Sequence, residues 1–566
     1  MKRLMRGLAL LAILMPASTG LKAQKTESHN FELSSNLEVF HEIVSELDRF
    51  YVDTIAPAAT IEKGIRAMLS GIDPYTEYYP ESGMNDLKMM TTGKYAGIGA
   101  LIRQYTARDY IYIEEPYADM PAAEAGLRAG DEILSIDGES MKNKPSSYVS
   151  DHLRGEADTH LSVTVRRAGV NDSLTFDITR RMISLPAVPY YGMWKGYGYI
   201  LLESFTENCS RSVMQALVEL KESGAKGIIL DLRGNGGGLL QEAVDIVGLF
   251  VPKGTLLVET RGKIPQASAK YITQRNPIDE TIPVVVLTDD QSASASEIVA
   301  GSLQDLDRAV IVGTRTFGKG LVQTTRMLPF NGTLKVTTAK YYIPSGRCIQ
   351  EIDYSRRNEN GQAQHIPDSL TKVFYTAAGR PVRDGGGIRP DVECKQDTMP
   401  DILYYLSQSV VLFDFLNEWC SRHETIAPAS EFSLTDEDYE AFKEFVVKSD
   451  FKFESSSSKA LASLLKIARR EGLADKAQDE FKALEEKLQY NLDSDLDQFR
   501  SDLERVLALE IVTRYYYQRG AVQQNIKSDK FLNEAVRLLD DGKRYGSILS
   551  PHLGRFLPCT FWGIGI

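Results

Sequence analysis

The chain has 566 residues, 43% of them hydrophobic and 25% charged. That is several domains' worth of sequence, apolar enough to bury cores, and it excludes a disordered, collagen-like or coiled-coil protein. Lys+Arg 65 against Asp+Glu 77 gives a net charge of −12, which argues against a binder of nucleic-acid phosphates. Five cysteines, at 209, 348, 394, 420 and 559, are too few and too scattered for a disulfide framework or a structural zinc site.

The first segment reads as an address. Residues 1–6 are basic, and 7–15 form a nine-residue apolar run, too short to cross about 30 Å of hydrocarbon as a helix. Small residues follow, and Leu21-Lys22-Ala23 offers a cleavage site before Gln24. This is the layout of a secretory signal peptide over 1–23; an uncleaved anchor is the alternative. Removal takes away Lys2, Arg3, Arg6 and Lys22, leaving −16. An exported protein, periplasmic or associated with the cell envelope, is expected.

Leu37, Phe40, Val44, Leu47 and Tyr51 recur at helical steps, predicting an amphipathic helix over 34–51 within an N-terminal helical segment, 24–90. A second helix is predicted over 60–70, before the turn Gly71-Ile72-Asp73-Pro74-Tyr75. Residues 95–180 hold short β-rich runs between Gly, Asp and Pro turns, giving a β-rich domain with bounds 91–182. From 197 the pattern alternates. Strands are predicted at YILLESF, GIILDLR, PVVVLTDD and AVIVG, with helices over 208–223, 239–250 and 295–306, an α/β layer fold spanning 183–400. Residues 332–343 read as a further β segment, and the polar stretch 351–387 as an insertion or flexible arm. Beyond 400 the chain turns helical to 566, with one apolar stripe from Phe481 to Val506 that reads as packing surface.

Chemistry concentrates where the Val284–Leu287 strand runs into a helix through Gln291-Ser292-Ala293-Ser294-Ala295-Ser296-Glu297. A hydroxyl there meets unpaired N–H groups and the positive end of the helix dipole, which stabilise an alkoxide or a tetrahedral oxyanion. A serine that only caps the helix is the competing reading. A Ser-His-Asp triad would need a histidine, yet none lies between His160 and His365. Lysine is the alternative base: Lys319, in Thr314-Arg315-Thr316-Phe317-Gly318-Lys319-Gly320, follows a predicted strand and is flanked by two glycines. To accept a proton at neutral pH its pKa must fall to near 7 from an ordinary ~10.4, on the order of 4–5 kcal/mol of desolvation. A Ser-Lys dyad therefore predicts a buried amine.

Gly313-x-x-x-x-Gly318-Lys319 also matches the beginning of a phosphate-binding P-loop. The next residue is Gly320 rather than Ser or Thr, and LVQTTRMLPF continues as strand rather than helix, which weighs against a nucleotide site. Asp231-Leu232-Arg233-Gly234-Asn235-Gly236-Gly237-Gly238 lets backbone N–H groups approach a substrate closely; a turn without chemistry is the plain alternative.

Taken together, DLRGNGGGLLQEAVDI, SASASEIVAGSLQD, VGTRTFGKGLVQ, YYIPSGRCIQ and, earlier, GIDPYTEYY resemble the carboxy-terminal processing (tail-specific) proteases, secreted Ser-Lys endopeptidases with a PDZ domain. The resemblance covers roughly 35–350 plus Gly387–Asp391. It implies a crotonase- and Clp-peptidase-like α/β core, with Ser294 as nucleophile, Lys319 as base and Gln323 holding the amine. Four residues of extended strand span about 13 Å, so Gln323 reaches Lys319 only if the chain bends, with Gly320 as the place to bend. The implied oxyanion donors are the N–H groups of Ala295 and of a glycine in 236–238, taken here as Gly237. Neither a metal nor an organic cofactor is implied.

Residues 95–180 resemble a PDZ domain through Tyr95-Ala96-Gly97-Ile98-Gly99-Ala100 and AGLRAGDEILSIDG. Such domains add a peptide to a sheet edge and catch its terminal carboxylate with backbone N–H groups; here Gly97, Ile98 and Gly99 would form that loop. A PDZ that only spaces the modules is the plain reading, and one that gates the active site the sharper one. The implied partners are proteins or peptides with free, apolar C-termini, and a homo-oligomer through terminal helices. The competing function is an inactive PDZ scaffold.

Overall fold

In the computed structural model the chain is described over residues 17–550 except 107, 396, 450, 489 and 490. The basic and apolar run at 1–15 and the apolar end at 551–566 lie outside the described residues. The chain divides into two units. One takes in residues up to Glu81 together with Gln323–Thr337; the other comprises Ser82–Val322 and the chain from Thr338 onward.

The first unit opens with the helix Ala17–Phe50, longer at its start than the predicted 34–51, and continues with Pro57–Ser70. Along the first helix Phe31, Leu33, Leu37, Val39 and Phe40 are exposed. In the turn that follows, Asp73 Oδ1 accepts the N–H groups of Tyr75 (2.8 Å) and Thr76 (2.7 Å). This side-chain-made turn aims the strand Glu77–Tyr79 antiparallel to Thr333, Leu334 and Lys335.

In the second unit, the antiparallel strands Ala100–Gln104, Ile111–Pro116, Glu132–Ile136, His160–Arg166 and Leu174–Thr179 wrap around Ile111, Ile113, Ile133, Val163 and Val165. The helices Pro121–Ala125 and Ser146–Leu153 close this β-rich domain. The helix Met84–Thr92, which the sequence reading did not single out, leads into it and ends on Gly93.

The α/β region is a six-stranded sheet ordered Tyr190–Trp194, Tyr197–Leu201, Ile228–Asp231, Val284–Thr288, Val310–Gly313 and Val392–Glu393. The first pair is antiparallel and the others parallel. Alternation along the strands divides two cores. Ile228, Leu230, Val284, Val286 and Ile311 face the helices Cys209–Glu222, Leu240–Val247 and Ala295–Asp305. Ile229, Val285, Leu287, Val310 and Val312 face Phe531, Leu532, Ala535 and Leu538 of the helix Lys530–Asp540. A parallel sheet needs cover on both faces, and the end of the helical region supplies the second.

The rest of that region, from Asp401–Gln408 to Arg500–Asn525, packs around Phe415, Trp419, Phe442, Leu507 and Ile511. The predicted apolar stripe from Phe481 to Val506 is not one helix. It divides into Gln478–Leu488, Leu492–Gln498 and Arg500–Asn525, because Asn491 caps the middle piece by accepting the Ser494 N–H (3.2 Å). The 351–387 stretch is likewise more ordered than an arm. It forms two hairpins, Ile352–Arg357 with Ala363–His365 and Val373–Tyr375 with Pro381–Arg383.

Candidate active site

Ser294 ends the loop after strand Val284–Thr288 and stands at the N-cap of Ala295–Asp305, with φ 55° and ψ −110°. A non-glycine residue in that region carries strain on the order of 1–3 kcal/mol and persists only where the surroundings fix it. Neighbouring groups on several sides fix it here. Asp289 Oδ1 gathers the N–H groups of Gln291 (3.1 Å) and Ser292 (3.0 Å), setting the turn before the serine. Asn235 O accepts the Ala293 N–H (3.0 Å) and the Ser296 hydroxyl (2.8 Å). The Tyr341 hydroxyl donates to Ser294 O (3.2 Å).

The strongest hold comes from Glu297, fully buried at the heart of the site. Its Oε2 accepts the Ser294 N–H (2.8 Å) and the Lys319 N–H (2.8 Å). Its Oε1 accepts the Gly318 N–H (2.7 Å) and the Thr316 hydroxyl (2.6 Å). One carboxylate thus ties the Ser294 and Lys319 backbones together across 25 residues of chain. Burial pushes the Glu297 pKa up to about 7, against the pull of those four donors. A carboxylate with every lone pair occupied is a rigid joint. The sequence reading passed over Glu297, although serine and glutamate three apart at a helix start is the capping-box spacing.

Lys319 sits in a loop pinned on all sides. The Phe317 N–H reaches Ser292 O (3.1 Å), Gly320 N–H reaches Gln350 Oε1 (2.7 Å), and Glu351 N–H reaches Gly318 O (2.9 Å). The residue as a whole is half-buried. Gln323 belongs to the other unit, where its Nε2 donates to the Thr337 hydroxyl (3.1 Å).

Gly237 lies against the serine: a Cβ built on it, at φ +100°, would come within 2.8 Å of Ser294 Cβ and 2.9 Å of Ala295 N. Its N–H, however, donates to Asn235 Oδ1 (2.9 Å). In this geometry the N–H expected to face an oxyanion is engaged by the Asn235 amide oxygen, and the Asn235 Nδ2 in turn donates to Leu202 O (2.7 Å). The Ala295 N–H belongs to the first turn of its helix, where N–H groups lack intrahelical acceptors.

In the β-rich domain a cleft of about 160 Å³ runs beside the strand Ala100–Gln104, lined by Tyr95, Ile98, Gly99, Ala100, Leu153 and Arg154 among others. Arg154 is its one charged lining residue, its guanidinium 5.3 Å from the centre of the Tyr95 ring. Ile98 is buried with its carbonyl accepting the Ala122 N–H (2.8 Å). Gly99 has φ +73°, and a Cβ there would come within 2.6 Å of Met120. Gly97 is drawn into the ribbon Lys94–Gly97 with Arg181–Ser184 and is not among the lining residues.

Three family models match the chain: peptidase family S41 over 196–355, a PDZ domain over 112–167, and the C-terminal helical domain of a probable PDZ-protease over 402–539. A carboxy-terminal-processing protease of Bartonella bacilliformis is 36% identical over 345 residues, 60% of this chain and 79% of that one. A carboxyl-terminal-processing protease of Synechocystis is 37% identical over 293 residues, 51% of this chain and 68% of that one. The solved photosystem II D1 C-terminal processing protease, 29% identical, covers 64% of this chain and 93% of that one at a TM-score of 0.35. The chain belongs to the carboxy-terminal-processing proteases of peptidase family S41, serine-type endopeptidases, and carries a PDZ domain.

Proposed function

We propose that this peptidase cuts exported proteins after its PDZ domain has captured their apolar C-termini, with Ser294 and Lys319 as the catalytic pair. The observation that carries the reading is the Glu297 carboxylate, which receives the backbone N–H groups of both residues on one oxygen. Neutral Lys319 Nζ takes the Ser294 Oγ proton as Oγ attacks the peptide carbonyl carbon. The tetrahedral oxyanion receives the Ala295 N–H. It also draws the Gly237 N–H away from Asn235, since a hydrogen bond to an anionic oxygen is about twice as strong as one to a neutral amide. The C–N bond then breaks, the Lys319 ammonium protonates the departing amine, and an ester remains on Ser294. Water, deprotonated by Lys319, hydrolyses the ester and restores both groups.

In the PDZ domain the tail lies along Ala100–Gln104, with its carboxylate at the Gly97-Ile98-Gly99 loop and Arg154 as the nearby cation of the cleft. Export is supported by the basic and apolar run at 1–15. Among the described residues no helix is long and apolar enough to cross a membrane. Assembly into a homo-oligomer is supported by the exposed apolar residues of Ala17–Phe50. The decisive experiment incubates purified protein with an unfolded polypeptide bearing an apolar C-terminus. Ser294→Ala and Lys319→Ala should each abolish cleavage, a metal chelator should not, and undiminished cleavage by either variant overturns the dyad.

A further inference from the structure

The glycine loop beside Ser294 begins at Arg233, which lies in a cleft of about 310 Å³ between the sheet and the C-terminal helices, lined by Tyr199, Asp231, Asp289, Asn525, Asp529 and others. Arg233 is held from both sides. Its Nε donates to Asp231 Oδ1 (2.9 Å) and its Nη2 to Asp231 Oδ2 (2.5 Å). Across the cleft Nη1 and Nη2 meet Asp529 Oδ1 (3.2 Å) and Oδ2 (2.6 Å) as a fork. Burial alone would lower its pKa, but Asp231 and Asp529 outweigh burial and keep the guanidinium charged. The guanidinium also lies 5.1 Å from the centre of the Phe531 ring.

Both anchors are fixed in turn. Asp231 accepts the buried Tyr199 hydroxyl (2.8 Å). Asp529 caps the helix Lys530–Asp540 by accepting the N–H groups of Phe531 (2.8 Å) and Leu532 (3.0 Å), and that helix covers the sheet. On the other side of Arg233, the Gly234 N–H donates to Asp289 Oδ1 (3.0 Å), the oxygen that shapes the turn before Ser294. Asn235, two residues on from Arg233, governs the Gly237 N–H. Hydrogen bonds joined through the short backbone stretch Arg233-Gly234-Asn235 thus run from the C-terminal helix to the backbone that lies against Ser294.

We infer that Asp529, 296 residues away in sequence, is a positioning residue of the peptidase: through a bidentate ion pair with Arg233 it holds the glycine loop in register with Ser294. The C-terminal helical region is then part of the catalytic apparatus rather than only a cover for the sheet. The inference rests on the Ser294–Lys319 reading. A planar fork between two fixed carboxylates sets direction as well as distance, and misplacement of a reacting group by about 1 Å costs on the order of 100-fold in rate.

The test is steady-state cleavage of a fluorogenic polypeptide with an apolar C-terminus by the full chain, with kcat expressed per folded molecule. Asp529→Ser keeps a good helix cap but is too short to reach Arg233. It should lower kcat by about tenfold or more, with KM within about twofold and little change in Tm. Arg233→Gln should lose at least as much, and the double variant no more than Arg233→Gln alone. Arg233→Lys, a cation without the fork, should recover part of the loss. A kcat for Asp529→Ser within about twofold of wild type overturns the inference, as do losses that multiply in the double variant. Ser294→Ala is the separate control: if it is inactive while Asp529→Ser is normal, the dyad stands and only the positioning role falls.

Discussion

A carboxylate that is fully buried and still accepts four hydrogen bonds makes Glu297 the residue whose chemistry can be read most directly. The folded pKa, about 7, lies above the ordinary value of 4.5, so the folded chain binds this proton more tightly than the unfolded one. Its contribution to stability is full below about pH 4.5, declines as pH rises toward 7, and is lost above that. Glu297→Gln removes the titration. Urea unfolding of both proteins should show the wild-type advantage shrinking between pH 5 and 7 by up to about 1.4 kcal/mol per pH unit. A difference that stays constant across that range would show that Glu297 is ionised throughout. The amide also brings an N–H where two donors now point, so kcat should fall by about 100-fold with little change in KM.

Between elements, the glycine loop passes close against the start of the helix Ala295–Asp305. A Cβ at Gly237 would stand 2.7 Å from Ala293 O as well as against Ser294, and these are backbone and Cβ atoms that no side-chain rotation can clear. Gly237→Ala should therefore push the helix start away from the loop. Peptidase activity should drop by at least about 100-fold while peptide binding in the PDZ cleft, followed by fluorescence anisotropy, stays unchanged. Retained activity would mean that the loop and helix move apart freely. The position of Gly237 could be anticipated from its run of glycines, but the hold of Asn235 on its N–H could not. That bond depends on where residue 202 places its carbonyl, 33 residues upstream.

Across the whole molecule, the PDZ domain is packed against the helical region through Phe413, whose ring lies 5.1 Å from Tyr105 and 4.7 Å from Tyr112. An ion pair joins Arg108 to Asp414 beside it. Phe413→Ala should cost about 3 kcal/mol of that packing. Amide hydrogen exchange would register it as faster exchange in the Ala100–Gln104 and Ile111–Pro116 strands, with the protease sheet unaffected. Unchanged exchange in those strands would show that the docking rests on other contacts.

The sequence by itself determined the pieces whose physics is local. The hydrophobic alternation gave the sheet strands and their helices, and glycines beside Lys319 and before Gly238 marked tight turns. It also carried the resemblance that named Ser294, Lys319 and the PDZ loop, because those motifs are contiguous. What only the tertiary structure decided are the long-range partners: Glu297 serving both the Ser294 and the Lys319 loops, Lys530–Asp540 closing the far face of the sheet, and Asp529 reaching Arg233. Each depends on a side chain meeting a group distant in the chain, and local spacing holds no record of which distant group the fold will bring near.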